Sequence, residues 1–302
     1  MALQGDVIGY DLFGQPIIKQ RVLRDEFIEP PFSVLDTKGQ HWTERKEKWK
    51  RLGIKSEIGR DAVSINMGAN ENRYGQKGKV DDSKNYTSIF DPVLCELMYR
   101  WFCPEGGKII DPFAGGSVRG IVASYLGYEY VGIELRQEQV ESNRQQADCI
   151  LDNQQDTMPM WIIGDSNNIL DSVQDDYFDL AFTCPPYADL EVYSKDPCDL
   201  SNMNYQDFEK SYKSIIHKTS RKVKQGGFVI IVVGEIRRKD SKEGEYLGLV
   251  PMTINHCVSC GLKYYNEAIL VNPIASASMR AMGNMKTKKL VKIHQNILIF
   301  KK

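Results

Sequence analysis

Residues 108–120 read KIIDPFAGGSVRG. An apolar run ends in an acid, Asp111, and two bare glycines, Gly115 and Gly116, follow. An apolar pattern of helical period then starts at Val118. This is the signature of a buried strand turning sharply into a helix. Without side chains at the turn, a ligand can approach the backbone and meet the first N–H groups of the helix. The spacing is not GxGxxG, and no Gly-Lys-Ser/Thr follows, so the turn is not a phosphate cradle.

The same rhythm extends outward from this stretch. Helices are expected at 91–102, opened by Asp91 with Pro92 at its first position, at 117–127, 136–151, 205–224 (closed by Gly226 and Gly227) and 249–260. Strands are expected at 108–111, 130–134, 160–165, 178–183, 228–234, 264–271 and 295–300. Strands and helices alternate along the chain, and only a loop joins the last two strands, as in an antiparallel return. The prediction is an α/β protein with a seven-stranded, mostly parallel sheet, covered on both faces, whose last strand is antiparallel. In such sheets ligands bind at the carboxyl ends of the strands, near the reversal of strand order. Chemistry is therefore expected just after Asp111, Glu134, Asp165 and Thr183.

The first 85 residues differ. They hold few apolar runs and several turn signals, such as Glu29-Pro30-Pro31 and the Asn/Gly-rich stretch 68–78. One helix is expected near 43–52, capped by Thr43, with Trp42, Trp49 and Leu52 on one face. Arg45, Lys46, Lys48 and Lys50 lie on the other, either as a solvated face or as a DNA-backbone contact. The expected division is an N-terminal extension, 1–85, and a catalytic domain, 86–302.

Charge is unevenly spread. Lys plus Arg number 39 and Asp plus Glu 40, a formal net charge of −1. Residues 37–60 carry +5 and residues 276–302 carry +7, so the remainder carries −1 − 12 = −13. No apolar stretch approaches a membrane span, and the mean hydropathy is −0.40. The first twenty residues lack the pattern of a signal peptide. Seven cysteines in apolar contexts suggest a reduced, cytoplasmic protein. Cys257 and Cys260 form a lone CxxC with no second pair, so buried thiols are expected and no metal.

At the strand ends, Glu134 can accept hydrogen bonds from two ribose hydroxyls and Asp165 from an exocyclic amine. With the glycine turn they outline a nucleoside pocket without phosphate recognition. Singly, acids at strand ends often only cap the next helix; the ordered set is what carries the reading. After the fourth strand comes TCPPYADLEVYS, 183–194. Two prolines fix the chain there, and Tyr187 offers a flat face on which a base can stack. Carbonyls at Cys184 and Pro185 could accept from an amino group.

DPFAGG, GIE, GDS and TCPPY, in this order, resemble the motifs of S-adenosylmethionine-dependent DNA amino-methyltransferases, and the longer string resembles a phage- and prophage-encoded group of them. The resemblance covers about residues 86–302 and implies a Rossmann-like methyltransferase fold. SIFDPVLCELMYRWF, 88–102, resembles the helix that precedes the glycine motif in that family, an order of the gamma type. EPPF at 29–32 could be taken for the base-binding motif of another order, but no apolar strand precedes it. By resemblance, Phe113, Ala114, Gly115 and Gly116, together with Asp111, line the methyl-donor pocket. Glu134 takes the ribose, Asp165 the adenine amine, and Ser88 and Phe90 lie by the methionine end. Cys184, Pro185, Pro186 and Tyr187 hold the target base. Most relatives have Asp, Asn or Ser where this chain has Cys184.

The resemblance implies methyl transfer to an exocyclic amine of a base flipped from double-stranded DNA. Cytosine N4 is favoured over adenine N6, because Cys184 is closer to Ser than to Asp or Asn. The rival readings are an RNA methyltransferase, attack on cytosine C5 by Cys184, and a binding protein on an inactive fold. Segments 37–60, 188–204 and 272–293 are the candidates for contacting DNA, the acidic middle one as a lid. Monomer and homodimer are equally open.

Overall fold

Alternating apolar runs and amphipathic stretches build one layered sheet. The computed structural model describes residues 6–10, 13, 15–19, 23–54, 90–151, 157–188, 194, 196–274 and 277–302. The elements in chain order are β1 (Asp6–Tyr10), β2 (Pro16–Lys19), α1 (Leu23–Phe27), β3 (Val34–Asp36), α2 (Gln40–Arg51), α3 (Pro92–Phe102), β4 (Lys108–Asp111), α4 (Val118–Tyr125), β5 (Glu129–Glu134), α5 (Gln137–Ile150), β6 (Met160–Ile163), α6 (Ser166–Ser172), β7 (Phe178–Thr183), α7 (Tyr205–Lys222), β8 (Val223–Val233), α8 (Leu249–Ser259), β9 (Lys263–Val271), α9 (Ala277–Met285) and β10 (His294–Lys301).

β1 and β2 form a separate antiparallel pair. The main sheet has the order β3-β9-β10-β8-β7-β4-β5-β6. Every pairing in it is parallel except those of β10, which runs antiparallel between β8 and β9. All seven expected strands are present, and the last is antiparallel as expected. The topology is that of the Rossmann-like methyltransferase fold. Strand order reverses between β4 and β7, which places a crevice at their carboxyl ends.

Both faces are covered, which explains the near-continuous apolar strands. Ile109, Phe182, Val232 and Ile299 point to the side of α2–α5. Their neighbours Ile110, Ala181, Val233 and Phe300 point to the side of α6–α8. The period-two alternation sends successive side chains into two separate cores.

Besides the β1–β2 pair and the short helices α1 and α6, for which no range was expected, four features differ from the sequence reading. An eighth strand, β3, pairs in parallel with β9 (Val34 with Ile269, Asp36 with Val271). The helix α7 ends at Lys222, and β8 begins at once with Val223. Gly226 and Gly227 therefore sit within the strand and do not close a helix. A Cβ on Gly227 would lie 2.7 Å from the Asp179 carbonyl oxygen, so close passage of β7 requires the glycine. A helix, α9, stands where only a loop was expected between β9 and β10. Gly39, not Thr43, is the N-cap of α2; the Thr43 hydroxyl donates instead to the Gly39 carbonyl within the first turn.

The N-terminal segment is built into the same sheet and core as the rest. Trp42 and Trp49 on α2 are buried against α3. An indole of that size contributes on the order of 4 kcal/mol by area. The α2 cations Arg45 and Lys46 point at acids of α3. Arg45 binds Glu96 with two bonds (2.7 and 2.5 Å), and Trp49 Nε1 donates to the same carboxylate (2.9 Å). Lys46 Nζ lies 2.8 Å from Asp91, which also caps α3 by accepting from Val93 N (3.0 Å). These two residues are thus held by the protein's own carboxylates and are not left as free cations on a solvated face. Lys48 is exposed. The stretch 68–78 lies outside the described residues.

Candidate nucleoside and base site

The glycine turn is anchored from behind. Asp111 is completely buried at the end of β4. Its Oδ1 accepts from the Thr183 hydroxyl (2.6 Å) and Phe113 N (3.1 Å), and its Oδ2 from Arg119 Nε (2.5 Å) and the Tyr130 hydroxyl (2.9 Å). Arg119 also donates to the carbonyls of Phe113 and Ala114, and its guanidinium lies over the Phe90 ring. Asp111 therefore shapes the turn and ties it to the last residue of β7; it does not face the cavity. Ala114 is likewise packed behind the turn.

In front lies a cavity of about 880 Å³, lined by Phe113, Gly115, Gly116, Glu134 and Asp165 on one side and by Cys184–Tyr187 on the other. Phe90 lines it too. Gly115 adopts φ +52°, in the left-handed region. Its N–H donates to Glu134 Oε2 (2.9 Å), and Arg136 N donates to Oε1 (3.0 Å). A carboxylate has roughly four acceptor positions, so holding these N–H groups is compatible with accepting from vicinal hydroxyls. Asp165 caps α6 by accepting from Asn167 N (2.9 Å). Gly164 N donates to the Glu134 carbonyl (2.9 Å), which fixes the two acid-bearing strand ends relative to each other. Ser88 lies outside the described residues.

The base side is equally constrained. Tyr187 packs over Gly234 at the end of β8, where a Cβ would meet the ring at 3.8 Å. Its hydroxyl accepts from Gln295 Nε2 (2.6 Å) and lies 3.6 Å from Cys184 Sγ. The next residue, Ala188, has φ +44°, a conformation that non-glycine residues adopt at a cost. Pro185, Pro186 and this turn together hold the aromatic ring at the cavity wall.

Several lining residues had not been singled out as site residues. Lys46 and Asp91 reach the cavity as an ion pair from α2 and the start of α3, and Gln295 and Lys292 reach it from the β10 side. Burial holds the Lys292 ammonium below the ordinary lysine range. EPPF at 29–32 does not line the cavity: Glu29 is bound to His41 Nδ1 (2.6 Å) and Arg24 Nε (3.3 Å). Cys260 Sγ donates to the Cys257 carbonyl (3.1 Å), a local bond closing α8.

Residues 28–145 match the N6/N4 DNA methylase family. The resemblance to DNA amino-methyltransferases read from the sequence holds over that span, which contains the glycine turn and Glu134 but ends before Asp165 and Tyr187. The match also begins well before residue 86, and so takes in β3 and α2. S-adenosyl-L-methionine is the cofactor of such a methylase, and the two acids, the glycine turn and the cavity volume fit it. No curated protein is similar enough to match.

Solved structures with related folds include a TehB-like S-adenosylmethionine-dependent methyltransferase from Corynebacterium glutamicum. It is 16% identical over 70% of this chain and 86% of that one, with TM-score 0.42. A methyltransferase from Methanosarcina mazei is 15% identical over 68% and 96%, with TM-score 0.45. A Thermus thermophilus protein provisionally named a DNA modification methylase is 20% identical over 46% and 50%, with TM-score 0.33. The fold assignment rests on strand order and direction, not on these neighbours.

Proposed function

We propose that the protein is a site-specific methyltransferase acting on the exocyclic amine of a base turned out of duplex DNA, with cytosine N4 favoured over adenine N6. The observation that carries this reading is that Cys184–Tyr187 opens into the same cavity as Glu134 and Asp165. When bound, S-adenosylmethionine supplies an electrophilic sulfonium methyl group. Glu134 would accept from its ribose hydroxyls and Asp165 from its adenine amine, and Phe90 and Lys46, which line the same cavity, would lie by its methionine end.

A target amine is a poor nucleophile, because its lone pair is conjugated into the ring. The Pro185 carbonyl accepts an amine N–H, which favours a pyramidal nitrogen and aims its lone pair at the methyl group. Tyr187 holds the ring by stacking. Its hydroxyl, fixed by Gln295, also faces the Cys184 sulfur, so the small pocket beside the amine is kept in shape. No enzyme–base bond is needed, and the chain contributes positioning and electrostatics. A paired base cannot reach such a cavity, so it must leave the stack.

Mass spectrometry of nucleosides from unmethylated DNA and, in parallel, from unmethylated RNA, each treated with the protein and labelled donor, tests this. The expected product is N4-methylcytosine. N6-methyladenine would keep the chemistry and change the base. Label only in RNA, or as 5-methylcytosine, would overturn the reading.

A further inference from the structure

We propose that α9 and the turn behind it dock on duplex DNA, with Met279 and Met282 entering the base step that opens when the target base leaves the stack. The proposal rests on the reading of the protein as a DNA methyltransferase.

Strand direction places this segment. β8 runs parallel to β7, so its carboxyl end, Val233, lies at the cavity. β10 pairs antiparallel, with Asn296 opposite Val233, so its amino end lies there as well. Val271, the last residue of β9, is opposite His294, the first of β10. The whole connection 272–293 therefore leaves and re-enters the sheet on the side of Tyr187. Asn272, Pro273, Arg280 and Lys292 line the same cavity as the base-holding residues.

Charge and exposure define the partner. Residues 272–293 contain Arg280, Lys286, Lys288, Lys289 and Lys292 and no acid. The protein as a whole is at −1, so this segment is a local anion-seeking surface. Of the nine residues of α9, only Ala277 is buried. Met279 is 79% exposed and Met282 82% exposed, and three residues apart they share one face of the helix. Two large, flexible apolar side chains in a segment whose charges are all basic suit neither open water nor a simple polyanion. They suit a duplex whose phosphates meet the basic residues and whose parted bases receive an apolar wedge. Continuity with the cavity puts that wedge beside the vacated position.

Methionine oxidation by hydrogen peroxide, read by peptide mass spectrometry on the full chain, tests the docking. The protein is treated alone, with unmethylated plasmid duplex and S-adenosylhomocysteine at low salt, and with heparin. Met279 and Met282 are expected to oxidise about fivefold or more slowly on the duplex, because oxidation follows exposure. Heparin covers lysines but offers no base step, and should leave both near their free rates. Met158 and Met160, exposed at the amino end of β6 and so at the opposite edge of the sheet, should not change. Equal rates with and without duplex, or equal slowing by heparin, would overturn the proposal.

A Met279→Ser/Met282→Ser variant, altered only at exposed positions, is expected to methylate duplex about tenfold or more slowly with unchanged S-adenosylhomocysteine affinity. Unchanged duplex methylation in that variant would also overturn it. Labelled transfer by the unaltered protein is measured alongside. Its absence counts against the methyltransferase reading, whereas transfer with unprotected methionines counts against the docking alone.

Discussion

Arg119 Nε lies 2.5 Å from Asp111 Oδ2 in a fully enclosed site, and the same guanidinium holds the carbonyls of Phe113 and Ala114. One buried ion pair thus sets the path of the glycine turn. Arg119→Met would leave the buried Asp111 carboxylate without its cation, held only by the neutral donors Thr183, Tyr130 and Phe113 N. The expected loss is about 3–5 kcal/mol, the usual result of breaking a buried pair from one side. Urea unfolding measures it, and an unchanged midpoint would refute the anchoring role.

The second expectation concerns the methyl donor. Gly115 combines φ +52° with a position on the cavity wall. Gly115→Leu puts a branched side chain into the cavity from a backbone that disfavours it. Calorimetric binding of S-adenosylmethionine should disappear while circular dichroism stays native-like. Retained affinity would remove the glycine turn from the donor site.

A third set concerns the base. Tyr187→Ala should remove stacking worth about 1–3 kcal/mol and cut turnover accordingly. Tyr187→Phe keeps the ring and loses the bond to Gln295, so a smaller loss is expected. Cys184→Ser should stay active if the sulfur only fills the amino pocket. Complete loss in Cys184→Ser, with a covalent adduct trapped on fluorocytosine DNA by the native protein, would move the mechanism to attack on the ring carbon.

What could be read in the residues, and what could not, divides along physical lines. The central strands β4, β7, β8 and β10 announce themselves as apolar runs because both of their faces are buried. β3 escapes notice because it has three residues, of which only Leu35 is buried. α9 escapes because a helix with one buried residue shows no apolar period. Glu134 and Asp165 were legible as cavity-lining acids from their places at strand ends. Asp111 was legible as important, but its four donors come from Phe113, Arg119, Tyr130 and Thr183, and only folding shows that they consume it. Arg45 looked like a DNA contact because its partner, Glu96, stands 51 residues away.

The fourth expectation follows from that difference. Lys286, Lys288 and Lys289 changed together to Ala should flatten the salt dependence of duplex binding by about one unit of slope per lost phosphate contact. Arg45→Ala should leave the slope alone and instead lower stability by roughly 1–3 kcal/mol, because Glu96 loses the closer of its two cations and keeps Arg100 at 3.4 Å. Filter binding across a salt series and thermal unfolding separate the two. A flattened slope in Arg45→Ala with intact stability would restore α2 as a DNA-contacting face.

The antiparallel insertion of β10 between β8 and β9 also bears on how such an enzyme can diversify. Because the chain departs from Val271 and returns at His294 side by side, the intervening segment is anchored at a single hinge-like doorway. It can grow, shrink or be exchanged between lineages without shifting any strand that carries Asp111, Glu134, Asp165 or Tyr187. If that segment docks on DNA as proposed, target choice and methyl transfer are free to evolve at different speeds within one chain.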